Sequence, residues 1–380
     1  MRAYLKFMVV IILLASNLAY AQLENAYRTL LHTQTGRNLQ DGKLVINADM
    51  NFYTKAGKFI GSVKPIDFTE VSYWLVAGNI VASYGFMEHL DASLGLRLYQ
   101  DTHRQNVYNF PDDIFLTLRA GSFYTSRNHL VHSFMLSSRI PTAKQHNNHF
   151  VEFASGAVEY GAMYAVSILS DAYLPDRSFQ AHFNIGYWNH NESGITYKFE
   201  NGKEFTAQKN SSELRLAIAG VFPTRLIDYR LELSGMLYLN RPEDFIYSAE
   251  EWVFFTPSLR YKLSSAIAFD LGVDFRLSPG DREWTRPDIP KPSASVSLPT
   301  NYPEWRVQMG AVFAFNVTEK AVSSTESYEK AKAQEKINEF EMILEEREKA
   351  KEVQKEIENL KKLRKEAEEE IKELKKILED

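Results

Sequence analysis

From Lys43 onward, apolar and polar residues alternate with period two in one segment after another, the pattern of strands with one apolar and one polar face. In KLVINADMNFYT, Ile46, Ala48, Met50 and Phe52 share one face, and Asn47, Asp49 and Asn51 the other. LDASLGLRLYQD sets Leu90, Ala92, Leu94, Leu96 and Leu98 against Asp91, Ser93, Arg97 and Tyr99. IFLTLRAG, ELRLAIAG, IDYRLELSGMLYL, IAFDLGVDFRL and WRVQMGAVFAFN repeat the alternation. The pattern predicts about twelve strands, near 43–54, 71–84, 90–101, 113–124, 129–139, 151–168, 179–189, 212–222, 226–239, 251–262, 266–277 and 304–316.

Two-faced strands suit either a soluble sandwich or a transmembrane barrel. Length favours the barrel: many segments run about ten to fourteen residues, where sandwich strands run about five or six and tilted membrane strands need roughly nine to eleven. Connection lengths favour it further, since they alternate between long (HNESGITYKFENGKEFTAQKNSS) and short (SRN, PTR, LSS). With both termini on one side, all long loops fall on the far side, as in bacterial outer-membrane barrels. The expected fold is an all-β up-and-down antiparallel transmembrane barrel. Tyr73, Trp74, Tyr84, Phe123, Tyr124, Trp188, Phe222, Tyr261, Trp305 and Phe315, near strand ends, are candidates for its interfacial aromatic girdles.

The N-terminus, MRAYLKFMVVIILLASNLAYAQ, has a basic start, a short apolar run and an Ala19-Tyr20-Ala21 cleavage pattern. It reads as an export signal over 1–21; the apolar run of about nine residues is short of the roughly twenty that an uncleaved spanning anchor needs. A periplasmic segment over 22–42 would then precede the barrel at 43–316.

Charge is mild, -5 over 380 residues, so nothing argues for a nucleic-acid partner. The chain has no cysteine, which excludes disulfides, thiolate metal sites and a cysteine nucleophile. If apolar faces meet lipid, where a charge at the midplane costs roughly 2–4 kcal/mol, the lumen receives Asp49, Asp91, Arg97, Arg119, Glu213, Arg215, Asp228, Arg230, Glu232, Arg260, Lys262, Asp270, Asp274, Arg276 and Arg306. These can line an aqueous path or bond across and close it. A hydrolase on the barrel wall would need catalytic side chains at i and i+2. His132 is followed directly by Ser133, and His182-Phe183-Asn184 has no serine, so no catalytic set is assigned. The loop histidines of HNNH (His146 to His149) read as solvated side chains; no metal or cofactor is expected.

After a linker at 317–326, residues 327–380 lack Gly and Pro and are rich in Glu, Lys, Leu and Ile, predicting a long α-helix. Ala350, Val353, Ile357, Leu360, Arg364, Ala367, Ile371, Leu374 and Leu378 follow a 3-4 spacing, the core of a coiled coil. It would join copies of the chain or a periplasmic or cell-wall partner. The alternative is a solitary helix with i,i+4 Glu–Lys pairs.

ASYGFMEHLDASLGL, SFMLSSRIPTAKQ, FQAHFNIGYW and TPSLRYKLSSAIAFDLGVDFRL resemble the outer-membrane proteins of the phenol-degradation meta-pathway type, over roughly residues 43–316. That resemblance implies an outer-membrane channel or transporter for small solutes, aromatic or hydrophobic ones among them. It implies no catalytic residues. The competing expectation is a structural envelope protein, anchored in membrane lipid by the barrel and tethered by the helix in the periplasm.

Overall fold

The structure is a computed structural model that describes residues 29–58, 70–102, 108–148, 151–172, 175–199, 202–264, 266–279 and 301–317, and in the tail 340, 343–344 and 347–368. The signal sequence, most of the linker, and coiled-coil positions Ile371, Leu374 and Leu378 lie outside the described residues. The chain divides into two compact units, Met1–Val322 and Ser323–Asp380.

Fifteen strands are described. Twelve of them close a barrel: β1 (Lys43–Lys58), β2 (Glu70–Met87), β3 (Leu90–Thr102), β5 (Ile114–Thr125), β6 (Leu130–Ile140), β7 (Glu159–Leu169), β8 (Gln180–Asn189), β11 (Ser212–Pro223), β12 (Ile227–Asn240), β13 (Trp252–Lys262), β14 (Ile267–Arg276) and β15 (Trp305–Asn316). Each pairs antiparallel with its sequence neighbours in the barrel, and β1 pairs with β15, from Lys43↔Asn316 to Phe52↔Val307, leaving no free edge. The short β4 (Tyr108–Asn109) extends β3, while β9 (Thr196–Lys198) and β10 (Glu204–Thr206) form a separate hairpin in a long loop.

The faces are inverted relative to a soluble protein. Leu94, Leu118, Leu136, Leu231, Leu259, Leu271 and Phe275 are exposed, while Asp91, Arg119, Glu213, Glu232 and Asp274 on alternate positions are buried. Apolar-out, polar-in alternation around a closed sheet belongs to a barrel whose outer wall faces hydrocarbon. No described helix is long and apolar enough to span a membrane; strands do the spanning.

Two expectations change. The strand expected over 151–168 begins at Glu159, because Val151, Phe153 and Ala154 are buried in a loop core and Gly156, at φ +78°, ends the extended run. Trp188, a girdle candidate, faces the lumen: on β8 it shares parity with buried His182 and Asn184, while Phe183, Ile185 and Tyr187 point outward. Trp74, Phe123, Tyr124, Phe222, Tyr261 and Trp305 are exposed.

The tail helix covers 347–368 among the described residues, with every described side chain exposed. Ala350, Val353, Ile357, Leu360, Arg364 and Ala367 lie on it. Arg364 pairs with Glu368 at 2.9 Å, one helical turn on.

Leu118→Arg, which puts a charge on the outer wall in mid-strand, is expected to cost about 2–4 kcal/mol of stability in vesicles. Urea unfolding measures it; an unchanged midpoint would contradict a lipid-facing Leu118.

Candidate functional site

Inward side chains converge first on the chain's own N-terminal segment. Residues 29–42, expected in the periplasm, instead run across the lumen at the end of the barrel that carries both strand termini. Glu232 on β12 accepts three backbone N–H groups, from Leu31, His32 and Thr33, at 3.0, 2.9 and 2.8 Å. Asn184 on β8 accepts from the Gln34 N–H at 2.7 Å and donates to its carbonyl at 2.8 Å. Ser133 donates to the Thr35 carbonyl, Ser167 accepts from Gly36, and Asp91 accepts from Leu39. Arg119 donates to the carbonyls of Thr35 and Arg37 and to the Gln34 side chain.

The polar inner wall thus supplies the backbone partners that water would supply outside. Glycine makes the approach possible. A Cβ on Gly36 would lie 2.0 Å from the Val131 carbonyl oxygen, and one on Gly272 would lie 2.3 Å from the Leu31 Cδ1. We call residues 29–42 the strap.

At the other end the long loops fold inward. Val151, Phe153, Tyr197, Phe199, Ala207, Ile246, Tyr247 and Ala249 make one apolar core with Tyr53, Leu75 and Ala77 of the inner wall. Asn147 and Ser248 stitch its loops: the Asn147 side chain accepts from the Tyr247 N–H at 3.0 Å, and Ser248 donates to the Val151 carbonyl.

Beneath this plug lies a charged layer. His190, wholly buried, sits 3.1 Å from Glu159 and 2.8 Å from Glu213, with its ring centroid 4.7 Å from that of Phe153. Burial alone would lower its pKa; Glu213 and Glu159 outweigh burial and push it up to about 9, so the ring is a cation at neutral pH. Arg139 joins the layer, 2.6 Å from Asp113 and donating to the Phe153 carbonyl at 2.9 Å.

Between strap and plug lies a chamber of about 360 Å³. Its wall includes Leu31, Phe115, Met135, Met163, Trp188 and Arg215, and it is open because Gly95, Gly186 and Gly310 leave inward positions without side chains. Around it, the inner wall carries paired charges.

Each residue that strand parity assigns to the lumen occupies the inner wall, and nearly all have a partner. Asp49 accepts from Asn79 at 2.7 Å, and Arg97 lies 3.6 Å from Asp112. Glu213 holds Arg215 at 2.8 Å, and Asp228 meets Lys262 at 2.5 Å. Asp270 bridges Arg230 and Arg260 at 3.0 and 2.6 Å; Asp274 bridges Arg306 at 2.7 Å and His32 at 2.8 Å. Arg276 lies 3.1 Å from Glu250. Asp91, Arg119 and Glu232 hold the strap.

Strand parity did not bring out Glu159, Arg139 or Trp188, although the alternation of β6, β7 and β8 carries the signal. His190 and the strap carry no periodic signal at all. His132 and Ser133 lie on opposite faces: His132 reaches the Thr125 and Tyr164 hydroxyls, while Ser133 reaches the strap.

No protein-family model matches the chain, and no curated protein does. Among solved structures, it is similar to the NanC porin, at 10% identity over 70% of this chain and 98% of that one, TM-score 0.42. An outer membrane channel from Pseudomonas putida F1 matches at 10% identity over 73% and 97%, TM-score 0.42. The TodX monoaromatic hydrocarbon channel matches at 9% identity over 73% and 91%, TM-score 0.38.

His190 gives a pH test. Its folded pKa is raised, so its stabilisation is complete below the unfolded value of 6.5 and is lost as pH rises through about 9. At neutral pH His190→Gln, which removes the cation between two buried carboxylates, is expected to cost about 3–5 kcal/mol. The stability gap between wild type and variant should narrow from pH 7 to 10 in detergent unfolding; a gap that ignores pH would refute the ion pair.

Proposed function

We propose that this protein is an outer-membrane channel for small solutes, closed at its periplasmic end by the strap. The observation that carries this reading is the chamber: a glycine-lined space inside a membrane-type barrel, bounded on one side by a single strand of polypeptide. That strand is held through side chains rather than by continuous strand pairing, the kind of element that opens at low free-energy cost. The mixed wall of Phe115, Trp188, Met135 and Met163 with Ser, Thr and Gln suits solutes with an aromatic or other apolar body and a polar end.

Glu232→Gln weakens three charge-assisted bonds to the strap at once without touching the plug. In planar bilayers the variant is expected to conduct at least about threefold more often than wild type, in line with losing part of one charged bond network. Absence of any current from both proteins, with solute uptake unchanged in cells lacking the chain, would remove the channel reading.

A second reading concerns the tail. The helix leaves Val353, Ile357 and Leu360 exposed along one stripe, and Glu356 stands where it would meet Lys361 of a parallel copy. The tail then joins copies of this chain in a periplasmic coiled coil. Because the chain lacks cysteine, Ile357→Cys should oxidise to a linked dimer while Glu358→Cys, on the outer face, should not. Linkage at neither position, or capture of a cell-wall partner by the tail without self-linkage, would overturn homotypic pairing.

A further inference from the structure

The outer wall carries a hollow across β11, β12, β13 and β14. Gly220 pairs with Leu231, and Leu231 pairs with Pro257, so a residue without a side chain and one with a short ring flank Leu231 in a single row. The next row, toward the end of the barrel that carries both strand termini, is Phe222, Tyr229, Leu259 and Leu271, all exposed. Phe179, just before β8, closes one side: its ring carbons stand 3.5 and 3.6 Å from the place of a Cβ on Gly220. Together these residues line an apolar groove of about 500 Å³, a volume in the range of ligand pockets.

Behind the groove the sheet is interrupted. Pro257 has no N–H to give, and pairing of β13 with β14 stops at Phe255↔Phe275 and resumes at Ser258↔Gly272. On the lumen side the strap covers this stretch, with the Leu31 Cδ1 2.3 Å from the place of a Cβ on Gly272. On the outer side the cover has to come from the membrane. Two exposed arginines stand at the membrane-surface end of the groove. Arg225 lies in the β11–β12 turn, between Phe222 and Tyr229, and Arg177 precedes Phe179 by two residues, in the short Pro175–Arg177 helix that packs beside β11. Among the described residues neither has a hydrogen bond or an ion pair. Their nearest acidic neighbours in sequence are already engaged, Asp176 with Arg37 at 2.9 Å and Asp228 with Lys262 at 2.5 Å.

We propose that this groove binds an anionic phospholipid, with one acyl chain lying along Gly220 and Pro257 and the phosphate meeting Arg177 and Arg225 at the membrane surface. The occupant follows from position and charge. The groove is continuous with a wall that faces hydrocarbon, and the residues at its surface end are cations without partners, the order of parts that an amphiphile with an anionic head complements. The bound chain covers the unpaired stretch of β13 and β14 from outside, as Leu31 does from inside. The site does not depend on whether the lumen conducts.

The test is lipid titration of the detergent-solubilised full chain, read by native mass spectrometry, with phosphatidylglycerol and with a diacylglycerol of the same chains, which lacks the phosphate. Gly220→Leu, which fills the groove, is expected to weaken both lipids about tenfold through lost methylene contacts. Gly78→Leu is the control: Gly78 is an outward glycine of β2 with open space around it, and the variant should bind both lipids as wild type does. Arg225→Gln is expected to weaken phosphatidylglycerol about fivefold, the effect of one basic residue at an anionic membrane surface, and to leave diacylglycerol within about twofold. Phe179→Ala, which removes one side of the groove from outside the strands, repeats the test should Gly220→Leu lose the folded barrel, judged by heat-dependent mobility in detergent gels. Equal lipid retention by wild type, Gly220→Leu and Gly78→Leu means a general lipid coat only and overturns the site, as does an equal loss of both lipids in Arg225→Gln. A dimer of the chain that disappears in Gly220→Leu, with no lipid retained by wild type, also overturns it and gives the groove to a second copy.

Discussion

Pairing of β1 with β15 closes the sheet, and most other features of the barrel follow from that closure. With no open edge, backbone groups along the wall are satisfied within the sheet, the condition for strands to lie in hydrocarbon. Once the sheet is closed, the period of two sorts every side chain into one of two environments, and there is no third. Leu118 and Arg119, adjacent in sequence, end up one facing outward and exposed, the other buried in the lumen.

A lumen only twelve strands around has little room for water, so its charged side chains must satisfy one another. Isolated buried charges cost several kcal/mol each, which explains why the inner wall is a set of braced pairs: Asp270 between Arg230 and Arg260, Asp274 between His32 and Arg306. The strap belongs to the same economy of partners. Glu232 and Asp91 both accept its backbone N–H groups.

The two ends are closed by different physics. The strap end is polar and side-chain-mediated; the loop end is an apolar core with edge-to-face aromatic pairs such as Phe199 with Tyr247, laid over a layer of buried ions. Between them, glycines at inward positions leave the chamber, and Arg215 and Trp188 face into it.

Alternation along the chain determined the number of barrel strands, their faces and the set of lumen charges, because a strand's two faces are written locally, one residue in two. It determined the helical tail for the same reason, through a different period. Which charges meet was decided only by tertiary structure, since Asp274 and His32 lie 242 positions apart and nothing local links them. The strap, the plug and the His190 clamp were also invisible in the sequence: irregular backbone has no period, and its place is set by the partners that a closed barrel presents. Trp188 marks the boundary between the two kinds of information. Its parity on β8 already pointed inward, but only the folded lumen shows the ring lying beneath Arg215 as one wall of a chamber.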